Sequence, residues 1–216
     1  DVVAAAGAPE ATSLGSFRIG DYRIAGVACT VARTGYTGED GFELFCSSED
    51  AVTLFRGLLA AGAAYGIAPA GLGCRDTLRL EARLPLYGND IDETTGAFEA
   101  GLGWVVKLEA ADFIGKAALV AAKAAGLKRK LVGIEMTGKG IARHGYPVVV
   151  DGREVGVVTS GSPGPTVGKN IGLAYVPAEL SAVGTQLGIA IRDKVIEAVV
   201  VKTPFYKRGA SASANH

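Results

Sequence analysis

One short segment concentrates the polar and aromatic side chains that could hold a ligand. It reads Arg33-Thr-Gly-Tyr-Thr-Gly-Glu-Asp-Gly-Phe-Glu43 and lies between two apolar stretches. Its glycines, Gly35, Gly38 and Gly41, permit backbone conformations with positive φ and the close approach of another molecule. The segment is therefore better suited to a binding site than to a core.

Glu43 is the side chain of this segment best suited to recognition. Strand alternation predicts that it shares a face with Phe45, opposite to Phe42 and Leu44. A carboxylate on the face of a sheet can accept two N–H donors in a bidentate arrangement. Tyr36 adds an aromatic face with a polar tip. These two residues are the first candidates for ligand contact.

An arginine near the start of a predicted helix is a third candidate. Arg75 lies where a structural arginine is less expected, because cations stabilise the opposite end of a helix. An ion pair with Asp76 or Glu81 is the structural alternative for Arg75. For Arg79 and Arg83 we expect structural roles.

Two further features have ordinary structural interpretations. The glycine-rich segment can also be a strand connection with a solvated Glu39–Asp40 pair. The acidic run Asn89–Glu93 offers oxygen ligands for a divalent cation, but it lacks the spacing of a calcium-binding loop. A turn with solvated carboxylates is the better prediction for that run.

Composition excludes several classes of function. Lys plus Arg equals Asp plus Glu, so no net charge attracts nucleic acid or an anionic membrane. Only His144 and His216 are histidines, which nearly excludes a His-based triad or a multi-histidine metal site. The odd number of cysteines, without a C-x-x-C spacing, argues against a disulfide framework or a zinc site and favours a reducing compartment. No apolar run approaches the ~20 residues of a membrane span, and no secretory signal is visible.

The order of predicted elements divides the chain in two. Strands are expected at 17–24, 27–31 and 42–45, the first with a hairpin turn at Gly20-Asp21, and helices at 48–62, 70–82 and 114–125. After a basic linker at 128–130, strands are expected at 131–136, 148–158, 171–176, 186–191 and 195–201. The Asp151-Gly152 pair within the second of these predicts a type I′ turn. Several short strands in succession favour a small barrel or sandwich over a parallel sheet.

Taken together, the motifs of this chain resemble those of T-protein, the aminomethyltransferase family of the glycine cleavage system. The resemblance covers nearly the whole chain. It rests on the segments 33–43, 71–82, 86–93, 113–119, 156–163, 170–176 and 202–206.

The resemblance implies a function and a set of contact residues. The family binds tetrahydrofolate in a channel between three domains, releases ammonia from the aminomethyl arm of lipoylated H-protein and forms 5,10-methylenetetrahydrofolate. Tyr36, Glu43 and Arg75 match its folate-contacting Tyr, Glu and Arg, and Tyr206 matches a C-terminal Tyr more loosely. Glu43 would accept the adjacent ring N–H and exocyclic amine of the pterin.

With the resemblance, the predicted fold class is α+β. Residues 1–127 form part of a folate-binding α/β sheet domain, residues 128–208 a small C-terminal antiparallel β-barrel, and residues 209–216 a disordered tail. The expected compartment is the cytoplasm, or the mitochondrial matrix in a eukaryote.

One departure from the family pattern limits this reading. Family members carry a large N-terminal portion, with an aspartate associated with catalysis and further pterin-contacting aromatic residues, and nothing in residues 1–35 resembles it. No catalytic residue is therefore predicted here. We expect a fragment, one half of a split enzyme or a sequence that lacks its start, holding part of the catalytic apparatus. The alternatives are a folate-dependent demethylase-type relative and a non-catalytic folate-binding module.

Overall fold

Residues 1–209 are described by a computed structural model, and they contain four α-helices and nine β-strands. The helices are α1 (Val2–Ala5), α2 (Ala51–Gly62), α3 (Leu72–Glu81) and α4 (Lys116–Ala125). The strands are β1 (Ile19–Ile24), β2 (Val27–Ala32), β3 (Glu43–Phe45), β4 (Arg129–Met136), β5 (Pro147–Val150), β6 (Arg153–Gly164), β7 (Lys169–Pro177), β8 (Gln186–Ile191) and β9 (Lys194–Val201). The chain divides into two units, Asp1–Arg75 and the part from Asp76 onward, and the division falls inside α3.

The first unit is built on an antiparallel sheet of β1, β2 and β3, with β2 in the centre. One face of the sheet packs on α2 and the N-terminal helical turns through an apolar core. The sheet residues on this core face are Tyr22, Ile24, Val27, Cys29, Val31 and Leu44. The alternate residues form what we call the exposed face, which comprises Ile19, Asp21, Arg23, Ala28, Thr30, Ala32, Glu43 and Phe45.

The predicted turn at Gly20-Asp21 is wrong, because both residues lie within β1. The turn between β1 and β2 is formed by Ala25 and Gly26, which both have positive φ. A Cβ at Gly20 would lie 2.9 Å from the ring of Tyr22, so any larger residue there would displace that ring. Asp21 accepts a hydrogen bond of 2.7 Å from the Thr30 hydroxyl on the neighbouring strand, so it stabilises pairing instead of a turn.

The predicted helices are present with small shifts at their starts. A 3₁₀ turn, Ser48–Asp50, leads into α2, and Gly66 ends this helical region with a φ of 70°. The third predicted helix begins at Lys116 and not at 114, because Gly115 before it has a φ of 90°. Such a conformation interrupts a right-handed helix.

The second unit contains a closed antiparallel barrel with the strand order β4-β7-β6-β5-β8-β9. Pairing of β4 with β9 closes it, which confirms the predicted antiparallel barrel. Asp151 and Gly152 both have positive φ and join β5 to β6 as predicted. The prediction of a basic linker at 128–130 is wrong in part, since Arg129 and Lys130 already belong to β4.

A buried charge network links α3 to the barrel strands within the second unit. Arg79 is 2% exposed and donates to the carboxylates of Asp76 at 2.6 Å and Asp90 at 2.7 Å and to the Ser160 hydroxyl at 2.9 Å. Asp90 also accepts a 2.5 Å hydrogen bond from Thr159. The expected solvation of the 89–93 carboxylates is therefore wrong for Asp90, which is fully buried, although Asp92 and Glu93 are exposed.

A second buried carboxylate shapes the turn between β6 and β7. Glu81, 1% exposed, accepts the backbone N–H groups of Thr166 at 2.7 Å and Val167 at 3.1 Å. Its partners are backbone donors, which satisfy a carboxylate without a counter-charge. The helix end and the hairpin turn are thereby held together.

Arg129, at the start of β4, forms the third charged contact of this unit. Its guanidinium donates to both oxygens of Glu99, at 3.0 and 2.9 Å, and lies 4.5 Å from the centroid of the Tyr175 ring. The hydrogen bonds from Arg129 lower the pKa of Glu99. Burial raises the pKa of Tyr175 to about 12. Arg83, half-buried, donates to the carbonyl of Ala100 at 3.0 Å, which confirms its structural role.

The predicted division at 127/128 stays a prediction. The expected disordered tail, 209–216, lies outside the described residues from 210 onward.

We expect Asp90→Ala to lower the free energy of unfolding by about 3–5 kcal/mol, because it leaves the buried Arg79 guanidinium without one of its partners. Chemical denaturation monitored by circular dichroism measures the change. The matched control is Glu93→Ala in the same loop, whose exposed side chain predicts a change within about 0.5 kcal/mol. Equal effects of the two substitutions would contradict the stabilising role of the Arg79–Asp90 pair.

We expect the Glu99–Arg129 pair to lose its contribution in acid. Because the pKa of Glu99 is lowered on folding, the pair stabilises the protein above the ordinary glutamate pKa of 4.5, and this stabilisation is lost as pH falls through the lowered value. Glu99→Gln should therefore cost about 1 kcal/mol at neutral pH, where Arg129 is partly solvated, and less in acid. Unfolding measured across the acid range, with the exposed Glu154→Gln as control, tests this; a cost that does not change with pH argues against the lowered pKa.

Candidate functional site

The glycine-rich segment of the first unit connects β2 to β3, and an arginine clamps its two ends. Arg33 follows β2 and donates to both carboxylate oxygens of Asp40, at 3.1 and 2.7 Å. It also donates to the carbonyls of Thr12 and Leu14 at 2.7 and 2.8 Å, and its guanidinium lies 5.2 Å from the centroid of the Phe42 ring. The hydrogen bonds to Asp40 raise the pKa of Arg33. Glu39 and Asp40 are both exposed, as the alternative of a solvated pair expects, and Asp40 is in addition held by Arg33.

Among the three glycines of this segment, only Gly38 has positive φ, at 76°. Gly35 and Gly41 have ordinary φ values, and a Cβ at either would meet no atom within 4 Å. Backbone strain therefore explains why a glycine is present at position 38, but not at positions 35 and 41. At Gly35 and Gly41 the open space leaves the backbone accessible to another molecule.

Glu43 opens β3 and lies on the exposed face, directly across from Ala32 of β2. Phe45 is exposed on the same face while Leu44 packs on the core, which confirms the predicted alternation. The hydroxyl of Thr34 donates to one oxygen of the Glu43 carboxylate. Within residues 1–209 this carboxylate accepts no other hydrogen bond, so most of its acceptor capacity is available to a ligand.

The chemical surroundings of Glu43 are partly apolar. Ile19, two strands away in the same cross-strand row, is 66% exposed, and Phe45 is 57% exposed. Exposed apolar side chains beside a carboxylate provide a surface for a flat ring with N–H donors at its edge.

Tyr36 and Arg75, two of the sequence-predicted contact residues, lie against each other in the first unit. The Arg75 guanidinium is 4.4 Å from the centroid of the Tyr36 ring, a cation–π contact. Arg75 is exposed near the start of α3, and Tyr36 is half-buried. The Arg75 guanidinium thus stacks on the aromatic ring of Tyr36, which lies in the glycine-rich segment.

Tyr206 belongs to the second unit. It follows β9, is half-buried, and its backbone N–H donates to the carbonyl of Glu81 at 2.8 Å. Its association with Tyr36, Glu43 and Arg75 stays a prediction.

Sequence reasoning gives no role to two residues that contribute to this site, Arg33 and Thr34. The opposite charges of Arg33 and Asp40, seven positions apart, are a sequence signal for the clamp. The carbonyls of Thr12 and Leu14 that complete it lie far away along the chain.

Within residues 1–209, no group of three or more His, Cys, Asp and Glu side chains is placed to hold a metal ion. No helix in this part of the chain has the length and apolar character needed to cross a bilayer.

Comparison with known proteins identifies the family through both parts of the chain. Residues 3–110 match the model of the GCVT N-terminal domain, and residues 129–207 match that of the glycine cleavage T-protein C-terminal barrel domain.

Individual relatives agree with the family models. The aminomethyltransferase of Caldanaerobacter subterraneus subsp. tengcongensis is 55% identical over 86% of this chain and 50% of its own length. That of Bacillus subtilis is 52% identical over 86% of this chain and 51% of its own length. The crystal structure of the glycine cleavage system aminomethyltransferase T from Bartonella henselae superposes with a TM-score of 0.86 at 34% identity, covering 95% of this chain and 56% of that one.

The chain thus spans about half the length of the relatives that it matches. Two matching domain models, together with the similarity in sequence and fold, establish that it belongs to the glycine cleavage T-protein family.

Proposed function

We propose that this chain forms the tetrahydrofolate-contacting part of an aminomethyltransferase of the glycine cleavage system. In that reaction ammonia is released from the aminomethyl arm of lipoylated H-protein and the carbon is transferred to tetrahydrofolate. The observation that carries the proposal is the Glu43 carboxylate, exposed on a sheet face beside apolar side chains and bonded by Thr34 alone among residues 1–209.

The donors of the folate ring suit this carboxylate. A pterin presents a ring N–H next to an exocyclic amine, and an ionised carboxylate accepts such a pair through both oxygens. The hydroxyl of Thr34 holds one oxygen of Glu43 and restricts the rotation of the side chain. A carboxylate restricted in this way loses less conformational entropy when it binds.

The Tyr36–Arg75 pair supplies the second part of the proposed contact. The stacked guanidinium remains planar and keeps N–H donors at its edge, which suit a carboxylate or another acceptor of the ligand. Because Tyr36 supports Arg75, each side chain limits the movement of the other.

In the proposed reaction, the protein accelerates the transfer mainly by positioning the reactants and less by transferring protons. Tetrahydrofolate, when bound, supplies the nucleophilic nitrogen that takes up the carbon. The residues of this chain bind and orient, which lowers the barrier by proximity and by electrostatic stabilisation. No residue of this chain is assigned a catalytic role, and the catalytic aspartate implied by the family resemblance is assigned to the portion that the chain does not span.

A second candidate is a folate-binding module without catalysis, because the contacts of Glu43, Tyr36 and Arg75 bind and orient a ligand and include no proton transfer. The chain spans about half the length of each aminomethyltransferase compared with it. We propose lipoylated H-protein as the partner of the active protein. The expected compartment remains the cytoplasm, or the mitochondrial matrix in a eukaryote.

We expect Glu43→Gln to weaken tetrahydrofolate binding about 10- to 100-fold, because hydrogen bonds to a charged group contribute roughly 1.5–3 kcal/mol. Isothermal titration of this chain with tetrahydrofolate measures the affinity. The matched control is Glu49→Gln, an exposed carboxylate of the same unit on the 3₁₀ turn before α2, which should leave the affinity unchanged.

Equal affinities of wild type and Glu43→Gln would remove Glu43 from the site. Absence of binding by the wild-type chain would show instead that these residues do not suffice to form the pocket.

We expect ammonia release from aminomethylated H-protein when this chain is combined with the N-terminal half of the Bacillus subtilis relative and tetrahydrofolate. The same mixture should not demethylate dimethylglycine. Quantifying ammonia and formaldehyde equivalents separates the outcomes. Dimethylglycine turnover would favour the demethylase-type alternative, and retained folate binding without either product would favour the non-catalytic module.

A further inference from the structure

Two of the three cysteines of this chain lie where β2 and β3 pair: Cys29 is in β2, and Cys46 directly follows β3. Thr30 of β2 pairs with Phe45 of β3 in antiparallel register. Continuing this register by one residue places Cys29 opposite Cys46. Directly opposed residues in an antiparallel pair have Cβ atoms about 4.5–5.5 Å apart, and a disulfide spans about 3.5–4.5 Å, so a movement of about 1 Å closes the bond.

Burial places both thiols on the same side of the sheet. Cys29 is 4% exposed within the apolar core of the first unit, and Cys46 is half-buried and packs against that core. Both are reduced, as is Cys74, which is exposed on α3. Alternation along the two strands thus brings together the two cysteines that are 17 residues apart, as counted from their positions.

The half-buried Cys46 is the part of this pair that a small molecule can reach. A surface depression of about 400 Å³ borders the pair and is lined by Cys29 and Cys46 together with residues of the exposed face such as Asp21, Thr30 and Phe45. Because both thiols lie on the core side of the sheet and Cys29 is the more deeply buried, we expect a reagent to react with Cys46 before Cys29.

We propose that Cys29 and Cys46 form a redox-active dithiol that is converted to a reversible intramolecular disulfide by exchange with small disulfides such as oxidised glutathione. This modification site includes neither Glu43 nor the Tyr36–Arg75 pair, and it does not depend on the proposed function. It differs from the disulfide framework that the cysteine count argues against, since both thiols are reduced in the folded chain.

The exchange proceeds in two steps. The Cys46 thiolate attacks one sulfur of glutathione disulfide, forms a mixed disulfide and displaces one glutathione thiolate. Cys29 then loses its proton and attacks the Cys46 sulfur, which forms the Cys29–Cys46 bond and displaces the second glutathione. The protein dithiol is oxidised by two electrons, and one glutathione disulfide is reduced to two glutathione thiols.

The environments of the two sulfurs support this order. Cys46 is the more exposed, so the reagent reaches it first. Burial is the main cause that raises the pKa of Cys29, and the neighbouring Cys46 and Asp50 raise it further. Cys29 therefore stays a thiol until the mixed disulfide has formed on Cys46 beside it. Proximity then compensates for its low thiolate fraction.

Peptide mapping of the wild-type chain tests the proposal directly. Cleavage after arginine separates the three cysteines into the peptides 24–33, 34–56 and 57–75. After treatment of the folded chain with oxidised glutathione, we expect 24–33 linked to 34–56 as the dominant product, with the loss of two hydrogen atoms from the intact mass. Dithiothreitol should reverse the linkage, and the oxidised chain should unfold at a higher temperature.

Variants and a denatured control distinguish the pair from general thiol reactivity. Cys74→Ser should form the same linkage to the same extent, whereas Cys29→Ser should retain glutathione on Cys46 because no second thiol displaces it. In denaturant, linkages that include 57–75 should appear, since the closure of flexible loops depends only weakly on their length. Two results would overturn the proposal: glutathione that persists on Cys46 of the folded wild-type chain, or a dominant linkage to peptide 57–75. Both are measured on the wild-type chain, so they do not depend on the folding of any variant.

Discussion

Alternation of side chains across the three-stranded sheet is the constraint on which the first unit depends. With β2 in the centre, odd-numbered residues such as Val27, Cys29 and Val31 face the core, and the even-numbered residues between them lie on the exposed face. The opposite parity on β3 exposes Glu43 and Phe45 and turns Leu44 inward. A one-residue slip would bury the Glu43 carboxylate in an apolar core, which is costly without a partner. The same register places Cys46 opposite Cys29.

The second unit depends on satisfied buried charge. Arg79 and Asp90 are both removed from water, and in residues 1–209 no buried side-chain nitrogen or oxygen lacks a hydrogen-bond partner. A buried ion pair adds little net stability against an apolar replacement, but it is strongly destabilising when half-removed. The buried carboxylate of Glu81 has no counter-charge; it accepts hydrogen bonds from backbone N–H groups of the β6–β7 turn instead. These polar contacts join an α-helix to a barrel whose own core is almost wholly apolar.

Family membership and the local geometry both support the proposed folate contact. The segment that carries Glu43 and Tyr36 is held by the Arg33–Asp40 pair and by Phe42, which packs against the core of the first unit. A clamp of this kind leaves Gly35 and Gly41 uncovered while it fixes the loop path. The chain spans about half the length of the relatives compared with it, and the activity of a complete aminomethyltransferase is a proposal for it.

The sequence by itself determined the local elements and the chemistry available to them. Apolar periodicity predicted β8 with its observed bounds and most of α2, and the Asp151-Gly152 pair predicted its turn, because these signals depend on neighbouring residues. Motif resemblance supplied the family and the candidate contact residues. What only the tertiary structure decided depends on residues far apart in the chain. Asp90 is buried because Arg79, Thr159 and Ser160 surround its site, and Gly20-Asp21 lies within a strand because Thr30 and Tyr22 support it there. Contacts between residues remote in sequence leave no periodic or local signal, so only the packed fold shows that Tyr36 lies against Arg75 and Cys29 beside Cys46.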